Sequence, residues 1–409
     1  MKWSVTMKTL ALKPNFFYCG VQDRDLRVFD IVMTTQHGTT YNSYLLKTAG
    51  QVVLFETAKE QFFEEYLASI EALTKVQDIN YLVMNHTEPD HAGSVARLLA
   101  LNPQITVIGT VGAMGFLRAI MNCDFKQQVV KDNATLVIGD RTLRFLVLPN
   151  LHWPDTMFTY IEEDKVLLTC DVFGAHYCPA DILRSTITDE EGYLEAVKYY
   201  FDGIIGPFKQ PFMTNALRRI APLDIELICT GHGPVLDSQV TAIQELYHKW
   251  CESVQPSATA LVVIPYVSAY GYTKALAESI AEGIRSNGKI TVELFDLTLI
   301  GTDVVLERLA VADGILLGSP TLLGDALKPI WEVATAMLPV THKGKVASAF
   351  GSYGWSGEAV PNLLERLRQL KMKVLEGYRV RFKPSSEELV AARAYGQAFG
   401  VEVLTKRTL

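Results

Sequence analysis

The sequence predicts an α/β protein with two domains, an α/β sandwich followed by a doubly wound parallel sheet. The first half is rich in short strand-like runs, with only a few helical patterns between them. The second half alternates strands and helices regularly, as βαβ units do. The stretch 251–259, which contains Gln255-Pro256-Ser257, separates the two halves and is typical of a linker. We therefore expect one domain at 1–253 and another at 254–409.

Apolar runs predict the strands of the first domain. These runs are short and bounded by polar turns, and they lie at 44–46, 52–55, 81–84, 105–108, 134–138, 143–148, 157–161 and 166–170. Apolar residues at helical spacing predict helices at 62–73 and 92–99. Many strands with separate helices indicate a sandwich rather than a simple parallel repeat.

The second domain has a more regular pattern. A strand at 260–267 precedes a helix whose apolar residues Leu276, Ile280 and Ile284 recur every four positions. Further strands are predicted at 291–295, 314–317 and 345–350, with helices between them. This order of elements predicts a doubly wound parallel sheet.

Composition excludes several classes of function. Of the 409 residues 49% are hydrophobic and 20% charged, and the net charge of −7 is accompanied by no basic stretch, which weighs against nucleic-acid binding. No apolar run approaches the roughly 20 residues that cross a bilayer. The N-terminus lacks the pattern of an export signal. We therefore expect a cytoplasmic protein that binds neither nucleic acid nor membrane.

The six cysteines show no C-x-x-C spacing. In a reducing cytoplasm they are expected to be free thiols, several of them small core residues, as Cys170 at the end of an apolar run would be. The sequence therefore predicts no cysteine-ligated iron centre.

The strongest functional signal is a group of potential metal ligands at strand ends. The segment His86-Thr87-Glu88-Pro89-Asp90-His91 directly follows the run at 81–84. Three more candidates follow other runs, namely His152, Asp171 and His232. We expect these runs to end at the same edge of the sheet, so that the loops after them gather the side chains.

The donor set indicates which metal the site holds. Four imidazoles and three carboxylates are too many for one tetrahedral zinc ion and suit two bridged ions. A set rich in carboxylates and without thiolate favours iron or manganese over copper. Zinc remains an alternative on ligand types alone.

This pattern resembles the flavodiiron proteins, whose diiron domain has the metallo-β-lactamase fold. Zinc hydrolases of that fold carry His-x-His-x-Asp-His, whereas Glu88 stands here where their second His would be. The resemblance implies that one iron is held by His86, Glu88 and His152. It implies that the other is held by Asp90, His91 and His232, with Asp171 and a solvent-derived oxo or hydroxo group bridging the two.

The resemblance also implies a tyrosine beside the metals. Tyr199 resembles a family tyrosine that can donate a hydrogen bond to a ligand of the metal, although its neighbour Tyr200 is an equal candidate. His37 and His176 could approach the site, and we interpret them as supporting or surface residues rather than as ligands.

Three loops of the second domain indicate a phosphate and flavin site. Each follows a predicted strand, and together they contain hydroxyls, glycines and aromatic side chains. The candidate contacts are Ser268, Ala269, Tyr270, Gly271, Tyr272 and Thr273 in the first loop, Pro320, Thr321, Leu322 and Gly324 in the second, and Ser352, Tyr353, Gly354 and Trp355 in the third. The three loops resemble the FMN site of flavodoxin, although Tyr272 stands where related phosphate loops often have Asn.

The resemblance implies an oxidoreductase that passes electrons from FMN to the diiron centre and reduces O2 to water, NO to N2O, or both. It further implies a head-to-tail homodimer or a dimer of dimers, in which one chain's FMN serves its partner's irons. The electron donor is expected to be rubredoxin or another redox protein, or reduced deazaflavin F420. Two alternatives are a zinc hydrolase of the same fold with an accessory flavodoxin-like domain, and an electron-carrier or redox-sensing module with a structural metal.

Overall fold

Two units of different architecture make up the chain. The computed structural model describes residues 9–31, 33–252 and 259–407, and the chain divides into the units Met1–Ser253 and Val254–Leu409. The predicted linker residues Gln255, Pro256 and Ser257 lie outside the described residues. Among the helices described, none combines the length and apolar character needed to cross a bilayer.

The first unit contains sixteen strands and seven α-helices within its described residues. The strands are β1 (Leu10–Lys13), β2 (Phe16–Tyr18), β3 (Val21–Asp23), β4 (Val28–Phe29), β5 (Met33–Thr34), β6 (Thr39–Tyr41), β7 (Tyr44–Lys47), β8 (Val52–Phe55), β9 (Tyr81–Val83), β10 (Thr106–Gly109), β11 (Gln127–Val129), β12 (Thr135–Ile138), β13 (Arg141–Val147), β14 (Met157–Ile161), β15 (Val166–Cys170) and β16 (Leu227–Thr230). The helices are α1 (Phe63–Glu71), α2 (Pro89–Ala92), α3 (Val95–Leu101), α4 (Val111–Met121), α5 (Glu190–Tyr200), α6 (Thr214–Ile220) and α7 (Val240–Cys251).

Two sheets form the centre of this unit. The larger sheet has the strand order β1-β2-β7-β8-β9-β10-β11, and the smaller has the order β12-β13-β14-β15-β16. Buried side chains of both sheets, such as Phe55 and Ile108 from one and Phe145 and Leu168 from the other, pack together in one apolar cluster. The sheets therefore face each other as the two inner layers of a sandwich.

Helices cover the outer face of each sheet. Tyr66 of α1 and Leu98 of α3 pack with strands of the larger sheet, and Val197 of α5 packs with strands of the smaller sheet. Because both faces of the smaller sheet are covered, every residue of β14 and β15 is buried. The four layers confirm the predicted αββα sandwich.

The second unit is a parallel sheet with helices on both faces. Its strands are β17 (Ala260–Tyr266), β18 (Ile290–Asp296), β19 (Gly314–Gly318), β20 (Val346–Tyr353), β21 (Lys373–Val374) and β22 (Tyr378–Arg381). Its helices are α8 (Tyr272–Arg285), α9 (Thr302–Val311), α10 (Lys328–Ala336), α11 (Pro339–His342), α12 (Ala359–Gln369) and α13 (Ser386–Arg407). The order β18-β17-β19-β20-β21, with β22 also beside β20, is parallel throughout and confirms the predicted doubly wound sheet.

Helices α8 and α13 pack together through glycines. A methyl group on Gly283 of α8 would collide with the backbone carbonyl of Arg393, and one on Gly396 of α13 would collide with that of Ile280. The two helix backbones can approach this closely only because both positions lack a side chain.

We expect Gly283→Ala to destabilise the second unit by about 2–3 kcal/mol, because the added methyl group forces the two helices apart. Urea denaturation followed by far-ultraviolet circular dichroism measures this loss. Gly301→Ala is the control, since no atom lies within 4 Å of its added methyl group and it replaces only the N-cap glycine of α9, and its effect should stay below about 1 kcal/mol. Equal effects of the two variants would contradict the proposed cause.

Candidate metal centre and flavin site

The seven predicted metal ligands converge from the ends of both sheets. The loop after β9 of the larger sheet carries His86, Glu88, Asp90 and His91. The loops after β13, β15 and β16 of the smaller sheet carry the others, namely His152, Asp171 and His232. The expectation that one edge of one sheet would gather them is therefore wrong, since the site lies where the edges of two facing sheets meet.

Four of these side chains form a first cluster. Glu88 Oε2 lies 3.2 Å from His86 Nε2 and 3.0 Å from His152 Nε2. Asp171 Oδ2 lies 3.3 Å from each of the same two nitrogens. The four donor atoms surround one point, as the ligands of a single cation do.

A second cluster shares Asp171 with the first. His91 Nε2 lies 3.4 Å from Asp90 Oδ2 and 3.0 Å from Asp171 Oδ1. His232 Nε2 lies 2.9 Å from Asp90 Oδ2 and 3.8 Å from Asp171 Oδ1. Asp171 therefore presents one oxygen to each cluster, which is the geometry of a carboxylate that bridges two ions.

The protein itself leaves polar atoms of these clusters unsatisfied. Asp90 and Asp171 are buried, and although imidazole nitrogens lie within 3.4 Å of Asp90 Oδ2 and Asp171 Oδ2, no well-directed hydrogen bond reaches those oxygens or Asp90 Oδ1. A buried carboxylate without partners is costly unless a positive charge compensates it. The arrangement therefore fits two bound cations.

The pKa values of the clusters reflect this crowding of charge. Burial disfavours the charged form of Asp171, yet the imidazoles of His91 and His86 outweigh it and hold the pKa of the carboxyl well below its usual value. Burial likewise disfavours a charged imidazole, but neighbouring carboxylates raise the pKa values of His91 and His152 to about 9. A metal ion that binds here must displace the protons of these imidazoles into solution. The affinity for metal should therefore fall as the pH falls.

Atoms outside the predicted set hold the imidazoles in place. His232 Nδ1 donates a hydrogen bond to the carbonyl of Thr40 at 2.6 Å. His86 Nδ1 faces Asp155 Oδ1 at 3.5 Å. Neither partner was predicted, because no local pattern at 40 or 155 distinguishes it from an ordinary loop or strand residue.

A cavity of about 160 Å³ adjoins the clusters. Tyr200 lines this cavity, whereas Tyr199 does not. Tyr200 is 2% exposed, and its ring centroid lies 4.9 Å from that of His176 and 6.1 Å from that of His232. Tyr199 is 48% exposed and points its hydroxyl toward Thr34. The structure therefore favours Tyr200 over the predicted Tyr199 as the tyrosine of the site.

The helical spacing of α5 could have identified this tyrosine. Tyr193, Val197 and Tyr200 recur at intervals of four and three and form its buried face, which excludes Tyr199. His176 lines the cavity as expected of a supporting residue, whereas His37 stacks on Tyr177 in a neighbouring cavity.

One buried thiol and one buried carboxyl group also lie near the clusters. The thiol of Cys170 lies within 4.8 Å of donor atoms of His91 and Asp171, and burial raises its pKa well above the usual value. Burial also raises the pKa of Glu56 to about 7, although His91 acts in the opposite direction. The sequence indicated only a core cysteine at the first position and gave no signal at the second.

The first loop of the second unit forms a cradle at the start of α8. Gly271 has a φ of 79° and precedes the helix, and no atom would contact a side chain at this position. Ser268 Oγ accepts a hydrogen bond from the backbone of Lys274. Gly271 is the N-cap residue of α8 and has no side chain to accept a hydrogen bond from the first N–H groups of the helix, as is typical of a helix start that binds phosphate.

The other two loops lie beside this cradle. The backbone N–H of Thr321 donates to the carbonyl of Ser352, and Ser352 Oγ lies 3.0 Å from Thr273 Oγ1. Two large aromatic side chains are left uncovered, Trp355 of the third loop at 94% and Tyr270 of the first loop at 74% exposed. Exposed aromatics beside a phosphate cradle fit a bound ligand with a flat ring.

Family models match both units. A model described as "ODP family beta lactamase" matches residues 39–233, and a flavodoxin model matches residues 264–396. The first match spans all seven candidate ligands, and the second spans all three loops.

Curated proteins and solved structures resemble the chain over nearly its full length. The Flavo-diiron protein FprA2 of Clostridium acetobutylicum is 40% identical over 97% of this chain and 100% of its own. The Type A flavoprotein fprA of Rhodobacter capsulatus is 39% identical over 95% and 90%, respectively. The rubredoxin oxygen:oxidoreductase of Desulfovibrio gigas aligns with a TM-score of 0.70 and 26% identity over 98% of this chain and 100% of that one. The flavodiiron protein of Giardia intestinalis aligns with a TM-score of 0.66 and 29% identity over 98% and 97%.

Replacing the shared carboxylate should affect both metal positions. We reconstitute Asp171→Asn with Fe²⁺ in the absence of oxygen. We expect it to retain fewer than about one ion per chain, because each cluster loses a charged ligand. Glu88→Gln removes a ligand from the first cluster only and should retain about one ion. Elemental analysis of the folded proteins distinguishes the two outcomes. Equal losses in both variants would contradict a bridging position of Asp171.

Proposed function

Because the chain belongs to the flavodiiron protein family, whose cofactors are FMN and a diiron site, we propose that it is an oxidoreductase that reduces O2 to water, NO to N2O, or both. The observation that carries this proposal is the pair of clusters that share Asp171. Seven nitrogen and oxygen donors without thiolate suit two iron ions, and Glu88 occupies the position that distinguishes the family from zinc hydrolases.

We assign the ligands according to the two clusters. His86, Glu88 and His152 would hold one iron, and Asp90, His91 and His232 would hold the other, with Asp171 bridging them. The distances between donor atoms support this division, because each imidazole directs its Nε2 toward the carboxylates of its own cluster. When bound, the two irons and FMN supply the electron transfer and the reduction of the diatomic substrate.

The residues around the cavity would control what reaches the site. Phe29, Met33 and Ile204 line it with apolar surface, which admits a small neutral molecule and limits bulk water. The hydroxyl of Tyr200 would donate a hydrogen bond to a substrate in the cavity, since burial raises its pKa well above the usual value and keeps the proton in place.

The three loops of the second unit would hold FMN. The N-terminus of α8 and the hydroxyls of Ser268 and Thr273 suit its phosphate, because N–H and O–H groups converge there. The exposed rings of Tyr270 and Trp355 suit the flat ring system. The remaining predicted contacts of the three loops belong to the same proposal.

The partners of the protein are proposed from its family. One relative is named for rubredoxin, so we propose rubredoxin or a similar small redox protein as the electron donor. We also propose a head-to-tail homodimer or a dimer of dimers. A cytoplasmic location agrees with six free cysteines.

The proposal is tested by the cofactor content of protein purified without oxygen. We expect about two irons and one FMN per chain, by elemental analysis and absorbance, with uptake of O2 or NO when the flavin is reduced. Two zinc ions with no flavin would overturn the proposal and would support a hydrolase of the same fold.

Tyr200→Phe should lower the rate of O2 or NO reduction by roughly tenfold, as the loss of about 1.4 kcal/mol from one hydrogen bond does. Tyr199→Phe is the matched control and should leave the rate unchanged, because its hydroxyl points toward Thr34. Iron and FMN contents are measured in both variants and should equal those of the parent. A loss of rate in the Tyr199 variant alone would contradict this assignment.

A further inference from the structure

An additional buried carboxylate stands behind His86, on the side opposite the metal clusters. The imidazole directs Nε2 toward Glu88 and Asp171 and directs Nδ1 toward Asp155 Oδ1 at 3.5 Å. Both His86 Nδ1 and Asp155 Oδ1 are buried, and neither has a hydrogen-bond partner elsewhere. Each atom is therefore the partner available to the other, at the outer limit of a hydrogen bond.

The surrounding structure fixes Asp155 in this position. The hydroxyl of Thr87 donates to Asp155 Oδ2 at 2.7 Å, and the hydroxyl of Thr110 donates to the backbone carbonyl of Asp155 at 3.1 Å. Gly112 of α4 allows the close approach, because a methyl group there would lie 3.3 Å from the Asp155 side chain. The carboxylate is fully buried, so water does not screen its charge.

The other buried imidazoles have weaker support. His232 Nδ1 donates to a neutral backbone carbonyl, and His91 Nδ1 has no hydrogen-bond partner. Among these three histidines, only His86 faces a carboxylate with its outer nitrogen. A carboxylate is a stronger acceptor than a carbonyl, and it makes an imidazole a better electron donor to a metal.

We propose that Asp155 is a positioning residue of the metal centre. It fixes the tautomer of His86 with the proton on Nδ1, turns Nε2 toward the first cluster, and adds a negative charge behind that cluster. The consequences are tighter binding of the ion at the first cluster and stabilisation of its more oxidised state, which lowers its reduction potential. This inference rests on the proposed function only in that the clusters bind iron.

The test is the affinity of metal-free protein for Fe²⁺ alone, measured without oxygen by competition with a chromophoric chelator. Asp155→Asn keeps the shape of the side chain and removes its charge. We expect it to weaken binding of one of the two ions by roughly 10- to 100-fold. Asp164→Asn is the matched control, because Asp164 is also a largely buried carboxylate of the first unit but pairs with Arg141. Its Fe²⁺ affinity should equal that of the parent.

A redox titration provides a readout that a purely structural role would not change. The iron potential of Asp155→Asn should rise relative to the parent, while Asp155→Glu, which retains the charge, should keep the potential closer to that of the parent. Circular dichroism establishes that each variant is folded. Unchanged Fe²⁺ affinity and potential in folded Asp155→Asn would overturn the inference while leaving the proposed function intact. A parent protein that binds no iron would overturn both.

Discussion

The structure of the first unit depends on one electrostatic constraint, the burial of Asp171 among four imidazoles and two further carboxylates. Its two oxygens face different clusters, so the side chain joins the loops of both sheets at one point. Buried charges of this kind are tolerated only with compensation, and opposite charges already shift the pKa values of His91 and His152 upward. The edge of the sandwich thereby gathers donor groups that suit bound cations.

The layers of the sandwich explain how the ligands of this site are held in place. Strands β14 and β15 are buried along their whole length, so the loop before β14 that carries His152 and the loop after β15 that carries Asp171 begin from fixed positions. Hydrogen bonds also hold the residues around the ligands in place. The imidazole of His232 donates to Thr40, and the hydroxyl of Thr87 donates to Asp155. Ligand geometry is thus set by the packing of two sheets rather than by any one loop.

The second unit differs, because its proposed flavin site combines backbone N–H groups with hydroxyls and aromatic rings rather than with charged side chains. The carboxyl ends of β17, β19 and β20 lie side by side in a parallel sheet, which brings their three loops together. Strands β17 to β20 were predicted from apolar runs, with ends shifted by up to three residues, whereas β21 and β22 were not predicted. In the first unit the short strands before 42 and the separate α2 within the ligand loop were not predicted, because such short elements owe their form to tertiary contacts.

The sequence by itself determined the fold class, the seven donor residues and the three loops of the second unit, because spacing and residue chemistry are local properties. Tertiary structure alone decided that the donors come from two facing sheets and that Asp155 stands behind His86, since these contacts join segments far apart in the chain. It also placed Tyr200 beside the cavity and left Tyr199 exposed, since the two side chains point in different directions from the same helix. The physical reason is that the types of ligand are fixed residue by residue, whereas their orientation is fixed by the layers that pack around them.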